Sequence, residues 1–91
     1  MSVERGREAC GATLALFKLL ALQAEGAVRA SDRPAMVQAR TQLLELCLDL
    51  AELETNLALR LSGAGEVLRS CRELASGVQD LLDIAIKASP T

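Results

Sequence analysis

Apolar residues recur every seven positions through the middle of the chain, where they form the series Met36, Leu43, Leu50 and Leu57. A second series has the same period and comes three residues later in the chain: Ala39, Leu46 and Leu53. When apolar residues are spaced alternately by three and by four residues, their side chains lie along one face of a helix. This spacing is typical of left-handed helical bundles. The middle of the chain is therefore predicted to be a helix that packs against other helices.

Two short segments interrupt the helical pattern. In residues 30–34, Ser31 or Asp32 can cap the free amides of a helix that begins there, and Pro34 suits the first turn of that helix. Residues 62–65 contain two glycines, which allow the left-handed backbone that ends a helix. These signals predict helix A from about residue 3 to 30, helix B from about 34 to 61, and helix C from about 64 to 88.

Connections this short favour antiparallel neighbours, and a chain of 91 residues has room for one core. The predicted fold class is all-α: an antiparallel three-helix bundle (up-down-up) that occupies residues 1–91 as a single domain. A partner helix or dimerisation would complete it. Helix A is predicted to turn inward Val3, Cys10, Thr13, Phe17, Leu20, Ala24, Ala27 and Val28. Helix C is predicted to turn inward Val67, Leu68, Cys71, Leu74, Ala75, Val78, Leu81, Leu82 and Ala85.

The apolar arc of helix B is wider than the face formed by the two heptad series. The arc is extended by Val37, Leu44, Cys47, Leu48, Ala51 and Ala58. A helix that is apolar over so wide an arc is expected to have neighbours on two sides.

Helix A carries a second apolar face, which we call the outer strip. It consists of small and leucine residues at helical spacing: Gly11, Ala15, Leu19, Leu22 and Gly26. Leu19 and Leu22 cannot share one core with Phe17 and Leu20, and an exposed apolar face commonly marks a binding surface. The outer strip is therefore the predicted partner-binding site. The alternative is that helix A is central in the bundle and buried on all sides.

The residue types that are missing exclude several function classes. The chain has no His, Trp or Tyr, and Phe17 is its one aromatic residue. It therefore lacks the commonest general base, the commonest nitrogen ligand for metals and the platforms on which nucleic-acid bases stack. The net charge of −2 comes from interspersed acids and bases, so no basic surface favours nucleic acid. We expect no enzymatic activity, no cofactor and no metal.

An acidic face is predicted on helix B. Glu45, Asp49 and Glu52 follow one another at intervals of four and three residues, and Asn56 extends the series. We expect a solvated surface here; the alternatives are a basic partner or a cation. Helical di-metal sites add a Glu-x-x-His unit to such acids, and this chain has no histidine.

The three cysteines are widely spaced and odd in number. We expect Cys10, Cys47 and Cys71 to be buried and unpaired, as in a reducing compartment, so the predicted localisation is cytoplasmic. The long apolar run in helix A contains Lys18 and Glu25, and we therefore expect no membrane-spanning helix.

Two resemblances concern the helix pattern. Two leucine-rich helices joined by the polar turn from Arg29 to Pro34 resemble the short helical chaperones of flagellar and type III secretion systems. The stretch from Glu73 to Leu82 is similar to helices of talin- and vinculin-type adaptor bundles. Neither resemblance assigns a functional role to any residue of this chain. The predicted function is a non-enzymatic protein-protein interaction module, an adaptor or assembly factor, that binds a partner helix along helix A. The alternative is a small cytoplasmic chaperone for a secretion or flagellar export substrate.

Overall fold

The structure is a computed structural model, and it describes residues 3–89. Its elements are α1 (Val3–Arg29), α2 (Arg33–Glu54), α3 (Leu57–Leu61) and α4 (Ala64–Ala88). The described part of the chain contains no strand, so the predicted all-α class is confirmed. The molecule measures 47 × 17 × 16 Å, and each of α1, α2 and α4 packs against the other two. Pro90 and Thr91 lie outside the described residues.

The first connection is a tight turn between α1 and α2. Ser31 adopts a left-handed backbone with φ of 52°, which reverses the chain. Asp32 is the N-cap of α2, and its Oδ1 accepts a hydrogen bond from the Ala35 amide at 3.2 Å. Pro34 lies in the first turn, where no amide is needed. Of the two caps that the sequence allows, Ser31 and Asp32, it is Asp32 that caps α2.

Helix B is interrupted, and the prediction of one helix from 34 to 61 is wrong at this point. The backbone of Asn56 is extended, with φ of −86° and ψ of 101°. Its Oδ1 accepts a hydrogen bond from the Leu59 amide at 3.3 Å and caps the five-residue helix α3. An asparagine side chain that bonds to the backbone competes with a continuous helix. Beyond the break Leu59 is buried, whereas Leu57, which continues the heptad series, is 57% exposed.

The second connection, between α3 and α4, depends on glycine. Gly63 has φ of +92°, a left-handed conformation that favours a residue without a side chain. Gly65 lies so close to α3 that an added Cβ would be 2.7 Å from the carbonyl oxygen of Arg60. The two glycines therefore have different roles: Gly63 turns the chain, and Gly65 allows close approach of the two helices.

The core runs along the three long helices. Its largest fully buried side chains are Phe17, Leu43, Leu50, Leu59 and Leu82, together with Cys10 and Cys71. Burial confirms most of the predicted inward face of helix A, namely Cys10, Thr13, Phe17, Leu20, Ala24 and Ala27. Val28 is half-buried, and the side chain of Val3 lies outside the described part of the structure.

The outer side of α2 differs from the prediction. Val37, Leu44 and Leu48 were expected to face a second neighbour, but they are exposed by 37%, 58% and 71%. Cys47, expected to be buried, is half-buried. The cause is that α1 and α4 cover only the face that carries Met36, Ala39, Leu43 and Leu50. The wide apolar arc therefore exceeds what two neighbouring helices cover.

Three polar contacts join α2 to α4 or to Ser89, the C-cap of α4. Arg33 donates a hydrogen bond from Nη1 to the carbonyl oxygen of Ser89 at 3.3 Å. Nη1 of Arg40 lies 3.9 Å from Oδ1 of Asp83. Arg72 forms an ion pair with Glu54, and its Nε lies 3.4 Å from Oε2 of the same carboxylate. The hydrogen bond with Glu54 raises the pKa of the Arg72 guanidinium.

One segment, Glu4–Arg29, is long and apolar enough to cross a membrane by length and composition, with a mean hydropathy of 1.3. It coincides with most of α1, which supplies Phe17 and Leu20 to the core. Core helices of soluble proteins and signal sequences near an N-terminus meet the same criterion. Composition alone therefore does not assign this segment to a membrane.

Candidate functional site

The outer strip lies on the exposed side of α1. Leu19 is 53% exposed and Leu22 is 66% exposed, and the three small residues of the strip are exposed as well. On the opposite side of the same helix, Phe17 is fully buried. Helix α1 is thus apolar on two faces but buried on one, so the alternative expectation of burial on all sides does not describe the structure.

The glycines of the outer strip have no packing role within this chain. A Cβ added at Gly11 or at Gly26 would meet no atom within 4 Å beyond its own helix. Gly6 is different, because a Cβ there would clash with a methyl group of Leu59. At Gly11 and Gly26 the missing side chain leaves the α1 backbone open to close approach by another helix.

A groove runs beside the outer strip, between α1 and α2. We call it the α1–α2 groove; it is lined by Leu16, Leu19, Leu20 and Gln23 of α1 and by Gln42, Glu45, Leu46 and Asp49 of α2. Leu20 is nearly fully buried, whereas Leu16 is 49% exposed. Leu19 belongs to both the groove and the outer strip, so the two form one continuous surface.

Two carboxylates give the groove its charge. Glu45 and Asp49 are exposed and line its α2 side, and its lining contains no basic residue. Glu52, the third member of the predicted acidic face, is exposed one turn further along α2. Asn56 does not extend this face, because its side chain caps α3. The groove therefore combines an apolar floor with an acidic side.

The described residues contain no cluster of His, Cys, Asp and Glu that could hold a metal ion. Burial raises the pKa of the Cys10 and Cys71 thiols, and the proximity of Cys10 raises that of Cys71 further. Thiols with a raised pKa are poor nucleophiles at neutral pH. Both cysteines are free, as expected from the sequence.

Sequence reasoning missed two parts of the exposed apolar surface. It did not single out Leu16, which precedes Leu19 by three residues and lines the groove with it. It also assigned Val37, Leu44 and Leu48 to the interior, whereas they form an exposed surface that we call the α2 patch. The sequence contained a signal for the α2 patch, because the apolar arc of helix B is wider than the faces that helices A and C could cover.

No family model, curated protein or solved structure matches this chain.

Proposed function

We propose that this protein is a non-enzymatic interaction module, an adaptor or assembly factor, whose outer strip docks a helix of a partner protein. One observation carries the proposal: α1 exposes Leu19 and Leu22 by 53% and 66% on the side opposite the buried Phe17. Leucines at helical spacing, with glycines at both ends of the strip, suit a helix laid along the surface.

We further propose that α1, α2 and α4 are antiparallel in up-down-up order, with α3 as part of the last connection. The contacts between α2 and α4 support this order. The start of α2 contacts the end of α4 through Arg33 and Ser89, and its end contacts the first half of α4 through Glu54 and Arg72. A docked helix would then be the fourth member of a bundle.

The expected affinity is modest. Full burial of one leucine stabilises by about 1.5 to 3 kcal/mol, and Leu16, Leu19 and Leu22 are still 49%, 53% and 66% exposed. Burying the exposed parts of these three side chains contributes about 3 to 5 kcal/mol before the cost of association. Micromolar binding corresponds to about 8 kcal/mol, so polar contacts must supply the rest. We therefore expect a weak or transient complex.

The proposal includes a cytoplasmic location with no membrane crossing and no nucleic-acid partner. The inward face of α1 supports the absence of a membrane span, because Cys10, Phe17 and Ala24 are fully buried against the other helices. The net charge of −2 and the single aromatic residue argue against nucleic acid.

The test uses a designed amphipathic helical peptide of about 18 residues with a leucine stripe and uncharged polar flanks. Its affinity is measured by titration calorimetry for the parent and for the double variant Leu19→Glu with Leu22→Lys, which leaves the net charge unchanged. We expect the variant to remain helical and to lose about tenfold or more in affinity, because the strip becomes polar.

The matched control makes the same change on the other exposed apolar surface: Leu44→Glu with Leu48→Lys in the α2 patch. This control should bind the peptide as the parent does. The proposal would be contradicted if the control lost binding while the outer-strip variant retained it. It would also be contradicted if the outer-strip variant unfolded, because Leu19 and Leu22 would then be part of the core.

A further inference from the structure

We infer that the helix docked by this protein is basic on one flank, with Lys or Arg side chains that face Glu45 and Asp49 across the α1–α2 groove. This inference rests on the proposed function and specifies the chemistry of its partner. The apolar part of the surface selects for any amphipathic helix, whereas the two carboxylates select among such helices by charge.

The shape of the surface fixes where the docked helix lies. A helix that packs on two others occupies the groove between them, and here that groove has Leu20 and Leu46 at its base. Leu16 and Leu19 form its α1 side and are half-exposed. A docked helix in this position therefore buries leucine on one side and meets α2 on the other.

The charge of the surface fixes the flank. Glu45 and Asp49 are one helical turn apart on the α2 side of the groove. Neither forms an ion pair within the described residues, in contrast to Asp83, which pairs with Arg40, and Glu54, which pairs with Arg72. An acidic helix in the groove would place like charges side by side, and such an arrangement weakens binding. A basic helix would instead place cations four residues apart against them.

The length of the surface fixes the size of the docked helix. The outer strip extends over 15 residue intervals from Gly11 to Gly26, which is about 22 Å of helix. The carboxylates lie near its middle, because the groove that they line is formed on the α1 side by residues between Leu16 and Gln23. The docked helix should therefore span about 15 residues, with its basic pair near the centre.

The experiment compares peptides that differ only in their flank. The designed leucine peptide is made with two lysines spaced by four residues on one flank, and again with two glutamates in the same places. Each of the two peptides is titrated against the parent protein and against the double variant Glu45→Lys with Asp49→Lys. We expect the parent to prefer the lysine peptide by about tenfold, and the variant to prefer the glutamate peptide. The preference should shrink as salt rises.

The matched control moves the same charge change to the exposed face of α4, with Glu66→Lys and Asp80→Lys. This control should keep the preference of the parent, since neither position lines the groove. Equal affinity of the parent for both peptides, or an unchanged preference after the Glu45 and Asp49 substitutions, would overturn the inference. The proposed function would still stand if substitution of the outer strip abolished peptide binding.

A second copy of the chain is the competing occupant. Sedimentation velocity of the parent distinguishes the two cases, with no peptide added. A stable dimer that is lost in Leu19→Glu with Leu22→Lys would show that the outer strip pairs with itself, and it would overturn the inference of a basic partner. A monomer that binds the lysine peptide supports the inference.

Discussion

Replacement of Phe17 by alanine is expected to remove a large part of the stability of this protein. Phe17 is fully buried on the inward face of α1, and it is the only aromatic residue in the chain. Protein interiors are close-packed, so the change leaves a cavity among the three long helices.

The magnitude follows from burial and chain length. Truncation of a buried Phe to Ala costs about 3 to 5 kcal/mol, including the cavity. A chain of 91 residues has a total stability of about 5 to 14 kcal/mol. Phe17→Ala therefore removes between about a fifth and all of it. The melting temperature should fall by more than about 10 °C, since a change of 1 kcal/mol shifts a domain of this size by about 4 to 8 °C.

The assay is urea unfolding followed by far-ultraviolet circular dichroism, because the chain has no Trp or Tyr for fluorescence. Leu22→Ala is the matched control, since Leu22 lies on the same helix and is 66% exposed. Its expected cost is below about 1 kcal/mol. A Phe17→Ala variant as stable as Leu22→Ala would refute the placement of Phe17 in the core.

Three further predictions follow from local structure. Asn56→Ala should lower the free energy of unfolding by about 0.5 to 2 kcal/mol through loss of the α3 cap, as urea unfolding can check. Folding raises the pKa of Cys10 and Cys71, so their contribution to stability is complete below the ordinary thiol value of about 9 and is lost as pH rises through the raised values. The fall in melting temperature above about pH 9 should be shallower in the double variant Cys10→Ala with Cys71→Ala. Gly77→Ala, on the exposed face of α4, should raise stability by about 0.5 to 1 kcal/mol, whereas Gly65→Ala should lower it because its Cβ would be 2.7 Å from a carbonyl oxygen of α3.

The long helices could be predicted from the sequence because their signals agree with one another. Apolar periodicity, the capping residue Asp32 and the left-handed Gly63 indicate the observed end of α1 and the observed starts of α2 and α4. The break at Asn56 was missed because the heptad series continues through it to Leu57. A side chain that caps a helix within a long apolar pattern competes with that pattern, and local geometry decided in favour of the cap.

The site could be predicted only in part. The exposure of Leu19 and Leu22 can be predicted because the inward face of α1 is fully occupied by Phe17 and its neighbours, which leaves no place for these two leucines in the core. The α1–α2 groove could not be predicted, since it depends on how two helices are rotated about their axes, and periodicity leaves this rotation open. Placement of Glu45, Asp49 and Leu16 in one groove is a result of that rotation.

The most direct measurement of the central claim is chemical-shift mapping of the nitrogen-15-labelled protein with the uncharged leucine peptide. Docking on the outer strip and the α1–α2 groove predicts the largest shifts around Leu19 and Leu22, with smaller shifts at Gln42. Amides around Leu44 and Leu48 should shift less than those around Leu19 and Leu22, because neither Leu44 nor Leu48 lines the groove. Shifts centred on the α2 patch, or no saturable shift at any position, would contradict the claim that α1 provides the docking surface.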